Sequence, residues 1–286
     1  SGQVRPENND PNSVVDLMKA LKRYGIQTNT TIQDFYRSWC EPVNLIDNPN
    51  EIDRNFASTL REPPISAYSS ELLENAKEYS NVAIAVLSRT CFENIDLPNT
   101  QRKAGPGMSE DNTRHYLEIS TEEQEMLTYL GENFEKVIVI VNAGNMMELS
   151  FMKTIPGLDA CVYTGTTGTQ AAESIPNLLW GDTAFSGKLV DTIPYSFDYS
   201  TASYSTWFGS GTYADGSHGL EYIEGIYVGY KWFETADYEG VYNNVDNTSL
   251  YGEGATGYDG IVQYPFGYGL SYTTFDWKIV KTEPEI

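Results

Sequence analysis

The chain has 286 residues, 40% hydrophobic and 20% charged, which is enough to bury a sizeable core and too apolar for a disordered chain. Lys and Arg total 18 against 40 Asp and Glu, a net charge of -22. Such a field repels phosphate backbones and anionic membranes, so it excludes nucleic acid and strongly anionic ligands and leaves neutral ones open. The two histidines, His115 and His218, and the three cysteines, Cys40, Cys91 and Cys161, form no metal-ligand spacing, so no zinc cluster is expected. No stretch approaches the roughly 18 consecutive apolar residues of a membrane-crossing helix. The compartment, cytoplasmic or secreted, stays open for a soluble protein.

Along the chain, residues 13–24 carry Val14, Leu17, Met18 and Leu21 at helical spacing, with Gly25 placed to end the helix. A second helix is predicted over 70–79. It leads into V-A-I-A-V-L at 82–87, a continuous apolar run of the length of a buried parallel strand. Ser120-Thr121-Glu122-Glu123 reads as a capping box opening a helix to about Asn133. V-I-V-I-V at 137–141 and A-C-V-Y at 160–163 supply two more strands, and a helix is predicted over 168–179. This alternation predicts an α/β fold, a mostly parallel sheet with helices on both faces. From Gly181 the chain turns rich in Gly, Ser, Tyr and Asp, which predicts long loops over the last third and one helix or strand at 223–230.

In open parallel sheets, ligands gather at the carboxyl ends of the strands. Three polar segments follow such ends: Ser88 to Pro98, Asn142 to Leu149 and Thr164 to Gln170. In the first, Glu93 and Asp96 stand among Cys91, Phe92 and Ile95. A carboxyl desolvated there gains the raised pKa of a general acid, whereas in the other reading both are solvated loop acids. Arg89 either orients a ligand or makes a structural ion pair. Glu148 either accepts hydrogen bonds from ligand hydroxyls or caps the short helix after it. T-G-T-T-G-T-Q lacks the Lys-Ser/Thr ending of a phosphate-binding loop and reads better as a tight strand-to-helix turn.

The order of these motifs resembles the α/β sandwich domain of family 3 glycoside hydrolases. V-I-V-I-V-N-A-G-N-M-M-E-L is similar to that family's strand followed by Asn-x-Gly-x-Pro-x-Glu-Leu. The stretch from Asp159 to Pro194, with G-D-T-A-F-S-G-K-L-V, resembles its glycine-punctuated segment. E-G-I-Y-V-G-Y-K-W-F and P-F-G-Y-G-L-S-Y-T-T-F are close to its two most distinctive strings. The text after Phe185 looks most like the bacterial subgroup in which the two domains occur in inverted order.

The resemblance implies a retaining β-glycosidase, β-glucosidase-like, acting on neutral sugars without a cofactor. An aspartate on a (β/α)8 barrel would be the nucleophile, and a sandwich-domain glutamate the acid/base. In that family the acid/base lies in a Gly-Glu-Gly-x-Asp-Leu-Pro loop after Ser-Arg. Ser88-Arg89 and Asp96-Leu97-Pro98 match, and the glutamate falls on Glu93. Arg89, Asp96 and Glu148 become supporting or sugar-contacting residues. Phe92 and Asn94 replace the flanking glycines, and Asn145-Met146-Met147-Glu148 lacks the usual proline. Nothing resembles the barrel, and S-G-Q-V resembles the tail of the loop after the domain's first strand. Residues 1–286 are therefore expected to form a single sandwich domain lacking that strand, inactive without its companion barrel. A carbohydrate-binding or regulatory module on the same fold is the alternative.

Overall fold

The computed structural model describes residues 14–39, 59–91, 97–103, 109–203, 210–212, 218–220 and 222–282. The strands are β1 (Thr59–Leu60), β2 (Val82–Arg89), β3 (Thr100–Lys103), β4 (Ser109–His115), β5 (Lys136–Ala143), β6 (Ala160–Tyr163), β7 (Ile193–Pro194), β8 (Ser210–Thr212), β9 (His218–Leu220) and β10 (Val262–Tyr264). The helices are α1 (Leu17–Tyr24), α2 (Thr30–Trp39), α3 (Ser70–Tyr79), α4 (Thr121–Asn133), α5 (Phe151–Thr154), α6 (Ile175–Leu179), α7 (Tyr230–Tyr238) and α8 (Thr248–Tyr251).

The three apolar runs form one parallel sheet in the order β2-β5-β6. Its register runs from Val82 opposite Lys136 to Arg89 opposite Ala143, and from Ile138 opposite Ala160 to Val141 opposite Tyr163. β5 is central and reads as an unbroken apolar string because both its faces are covered. On one face Val139, Val141, Ala85 and Leu87 pack with Met126 and Leu127 of α4 and with Phe151. On the other, Ile140 and Ile84 meet Leu17 of α1, Ala172, and Ile175 and Leu179 of α6. Each such fully buried aliphatic side chain is worth about 1.5–3 kcal/mol relative to exposure. The predicted α/β layering with helices on both faces is therefore what the chain adopts. α4 opens with the expected capping box: Ser120 Oγ accepts from Glu123 N at 3.1 Å, and Ser120 N donates to Glu123 Oε2 at 2.7 Å.

Two expectations are corrected. The helix expected over 168–179 is a 3-10 turn, Ala171–Ser174, followed by the short α6. Gly168 sits at φ 64, outside helical space, and Pro176 has no N–H to carry an α-helix across from the turn before it. Residues 223–229, of the helix or strand expected over 223–230, make neither; only Tyr230 is helical, as the first residue of α7. The others form a connection of turns, and Gly229 at φ 59 caps α7, which the sequence reading missed. Within the last third, α7 and β10 build a small cluster of Phe233, Ala236, Tyr242, Ile261 and Val262. Ile193 of β7 lies in the main core, and Tyr264 packs against it.

α2 packs on α3, and its Tyr36 meets Tyr68, with Glu62 accepting a hydrogen bond from each hydroxyl. Burial pushes the Glu62 carboxyl up to about 7, the two tyrosine hydrogen bonds opposing it and the charges of Glu123 and Glu122 adding to it. Because the folded value lies above the unfolded one, Glu62 stabilises the fold fully below about pH 4.5. That contribution is lost as pH rises through about 7. Glu62→Gln keeps an acceptor for both phenols and removes the titration. Its melting temperature is expected to match wild type near pH 4 and to exceed it near pH 8, by the equivalent of roughly 2–4 kcal/mol. Melting curves that stay parallel from pH 4 to 8 would show that this carboxyl is not coupled to folding.

Candidate active site at the carboxyl edge of the sheet

The three strand-end segments do converge. A methyl group on Gly144, after β5, would lie 2.5 Å from Thr166 Oγ1, after β6, and 2.6 Å from Cys91 Sγ, after β2. Tyr163 also donates its hydroxyl to the carbonyl of Asn145. Glu93 and Asp96 lie outside the described residues, but the loop that carries them springs from this rim between Cys91 and Leu97.

Arg89, the last residue of β2, takes its structural reading. Its side chain is fully buried, and it grips Glu123 with both terminal nitrogens, Nη1 to Oε1 at 2.8 Å and Nη2 to Oε2 at 2.7 Å. Nε donates to the carbonyl of Tyr116, and Nη1 and Nη2 donate to those of Ser88 and Glu118. A guanidinium has five N–H donors, and these contacts use all of them. None is left for a ligand unless one of these bonds opens. Although burial pulls it down, the Glu123 charge and hydrogen bonds hold the guanidinium above its ordinary value.

Glu148 is buried and does not cap the short helix after it; the N-cap of α5 is Ser150. Its Oε1 lies 2.9 Å from His115 Nε2 and accepts from the backbone N–H of Phe197. Its own N–H donates to the carbonyl of Leu117. Glu148 therefore ties β4 to the segment after β7. Burial works against the charged form of His115, but the hydrogen bond to Glu148 and the charges of Glu148, Glu118 and Asp198 raise its pKa above the ordinary imidazole value. Burial also raises the Glu118 carboxyl, with His115 opposing. A cavity of about 500 Å3 opens beside this cluster, lined among others by Thr100, Arg114, His115, Glu118, Asp198 and Ser203. Among the described residues, His115, Glu118 and Glu148 are the groups close enough to share a metal ion. Their arrangement is that of a hydrogen-bonded network, in which Glu148 Oε1 is already taken twice.

The sequence reading missed Tyr116, His115 and Gln101. Tyr116 is buried against Arg89, whose guanidinium carbon lies 5.7 Å from its ring centre. Gln101 is wholly buried in β3. The one available signal was that His115 is among only two histidines in the chain.

Comparison with known proteins identifies the family of the chain. The glycosyl hydrolase family 3 C-terminal domain matches residues 2–230. The chain belongs to that family. It is 28% identical over 235 residues to beta-glucosidase A of Butyrivibrio fibrisolvens, covering 79% of this chain and 25% of that protein. To a beta-glucosidase of Ruminococcus albus it is 28% identical over 209 residues, covering 72% and 17% respectively. The fold matches a beta-glucosidase from Paenibacillus barengoltzii with a TM-score of 0.63 at 24% identity, over 94% of this chain and 25% of that one. Beta-glucosidase 3B from Thermotoga neapolitana, solved in complex with glucose, matches with 0.61 at 22% identity, over 93% and 32%. The family 3 domain described here thus spans a quarter or less of the length of these two curated relatives.

Proposed function

We propose that this domain supplies the acid/base half of a retaining β-glucosidase-like active site, with Glu93 protonating the departing oxygen of a neutral β-glycoside. The observation that carries the proposal is the position of Glu93. It lies on the loop leaving the carboxyl end of β2, between Ser88-Arg89 and Asp96-Leu97-Pro98, in a chain of the glycosyl hydrolase family 3 C-terminal domain. Retention of configuration needs two carboxyl groups about 5–5.5 Å apart. A nucleophilic aspartate from a companion barrel would be the second, and Asp96 a sugar-contacting neighbour of the first.

The surface supports a companion. Ile223, Ile226 and Val228 are exposed, Ile226 at 73%, and the ring of Tyr230 beside them packs at a tilt against exposed Phe266, ring centres 4.8 Å apart. Leu270, Tyr272, Phe275 and Trp277 continue the exposed apolar series, Trp277 at 92%. Apolar surface this extensive suits a contact with another body, and it coincides with the two strings most characteristic of the family resemblance. A net charge of -22 suits an uncharged substrate, and glucose, the ligand of the Thermotoga neapolitana enzyme, is the parent sugar proposed.

The full-length protein is expected to hydrolyse p-nitrophenyl β-glucoside with retention of anomeric configuration, read by proton NMR of the first-formed sugar. Residues 1–286 alone are expected to release none. Binding of glucose by the full-length protein, seen by calorimetry without turnover of any aryl glycoside, would favour a carbohydrate-binding module instead.

A further inference from the structure

The loop between β2 and β3 has two stems, and one short segment, residues 115–118, grips both. At the outgoing stem, Thr90 N donates to the Tyr116 hydroxyl at 2.9 Å, and that hydroxyl donates back to the carbonyl of Thr90 at 3.2 Å. One phenol thus fixes both peptide groups of a single residue. At the returning stem, Gln101 donates its amide to the carbonyls of His115 at 3.0 Å and Glu118 at 3.1 Å, and Thr100 lies opposite His115 across the ladder. Arg89 holds the same segment from below through the carbonyls of Tyr116 and Glu118.

We infer that Tyr116, backed by Gln101, is a positioning residue that sets where the loop presents its general acid. The inference rests on the assignment of Glu93 made above. Thr90 is partly exposed at the rim, where water could satisfy its backbone, so a buried phenol is not needed there for hydrogen-bond balance alone. What the phenol adds is direction. Glu93 stands three residues beyond Thr90, a reach of at most about 10 Å. A swing of about 10° at the stem would then move its carboxyl by roughly 1–2 Å, and a misplacement of about 1 Å can cost 100-fold in rate.

The test uses the full-length protein as wild type, Tyr116→Phe, Gln101→Met and Glu93→Gln. The reading is kcat/KM on phenyl β-glucoside, which needs protonation of its leaving group, and on 2,4-dinitrophenyl β-glucoside, which does not. Tyr116→Phe is expected to lose roughly 10- to 100-fold on the phenyl substrate and less than about threefold on the dinitrophenyl one, with the alkaline limb of the phenyl pH profile displaced. Gln101→Met, at the other stem, is expected to show the same selectivity more weakly. It keeps the test decisive if Tyr116→Phe folds poorly, which melting temperatures would reveal. Equal losses on both substrates, or no loss on either, in whichever variants fold would overturn the positioning role. If Glu93→Gln itself shows no leaving-group dependence, the acid assignment fails and the inference fails with it. Normal dependence in Glu93→Gln with none in the stem variants sinks the inference alone.

Discussion

Glu93→Gln in the full-length protein is expected to lower kcat/KM on phenyl β-glucoside by about 100- to 10,000-fold, the range that general acid catalysis contributes. The amide keeps the size of the side chain and has no proton to give, so phenolate would have to leave unprotonated. A dinitrophenyl leaving group is stable as an anion, and its first step should be nearly untouched. The second step is different, because the same carboxylate then acts as base for the incoming water. Turnover on the dinitrophenyl substrate should therefore stall after the glycosyl-enzyme forms, giving a burst. Azide, which needs no base, should restore turnover and yield β-glucosyl azide. Wild-type-like rates on both substrates would move the acid to another loop. The loss should also erase the alkaline limb of the wild-type pH profile, since nothing would remain to deprotonate there.

The second large effect belongs to Arg89. Arg89→Met removes a cation whose side chain is wholly buried and leaves Glu123, with 7% of its side chain exposed, as a nearly buried carboxylate without its counter-charge. The carbonyls of Ser88, Tyr116 and Glu118 lose donors in the same stroke. Breaking one side of a buried pair typically costs about 3–5 kcal/mol, which in a domain of this size is a fall of roughly 6–20 °C in melting temperature. The pair itself need not be stabilising, because desolvating both charges offsets much of their attraction. The decisive comparison is therefore Arg89→Met/Glu123→Gln, which is expected to melt above Arg89→Met. A double variant no more stable than the single one would mean that the lost carbonyl contacts, and not the orphaned charge, dominate.

How much of this was legible in the sequence depended on the kind of signal. The parallel sheet was readable because strands covered on both faces become unbroken apolar strings, as Val137 to Val141 are. β3 and β4 were not, since T-Q-R-K and S-E-D-N-T-R-H offer no apolar alternation and are held by pairing and by buried Gln101. The apolar letters of I-Y-V-G, residues 226–229, promised an element and gave an exposed connection into α7. Their apolarity faces outward, and hydrophobicity alone does not say which body will cover it. In the site, the capping box told that Glu123 starts a helix. Nothing in the spacing told that the same carboxylate reaches Arg89, 34 positions away. Glu148 was singled out for its place after β5, but its partners, His115 and Phe197, come from distant segments that no local pattern joins.

Glu123 does two jobs with one oxygen. Its Oε2 accepts from the Ser120 amide, closing the start of α4, and from Arg89 Nη2, fastening the end of β2. Neither end can be released without disturbing the other, so the first turn of α4 and the last residue of β2 belong to a single cooperative unit, opening together or not at all. The rim from which the Glu93 loop departs thus inherits the rigidity of the core, although it lies at the edge of the domain.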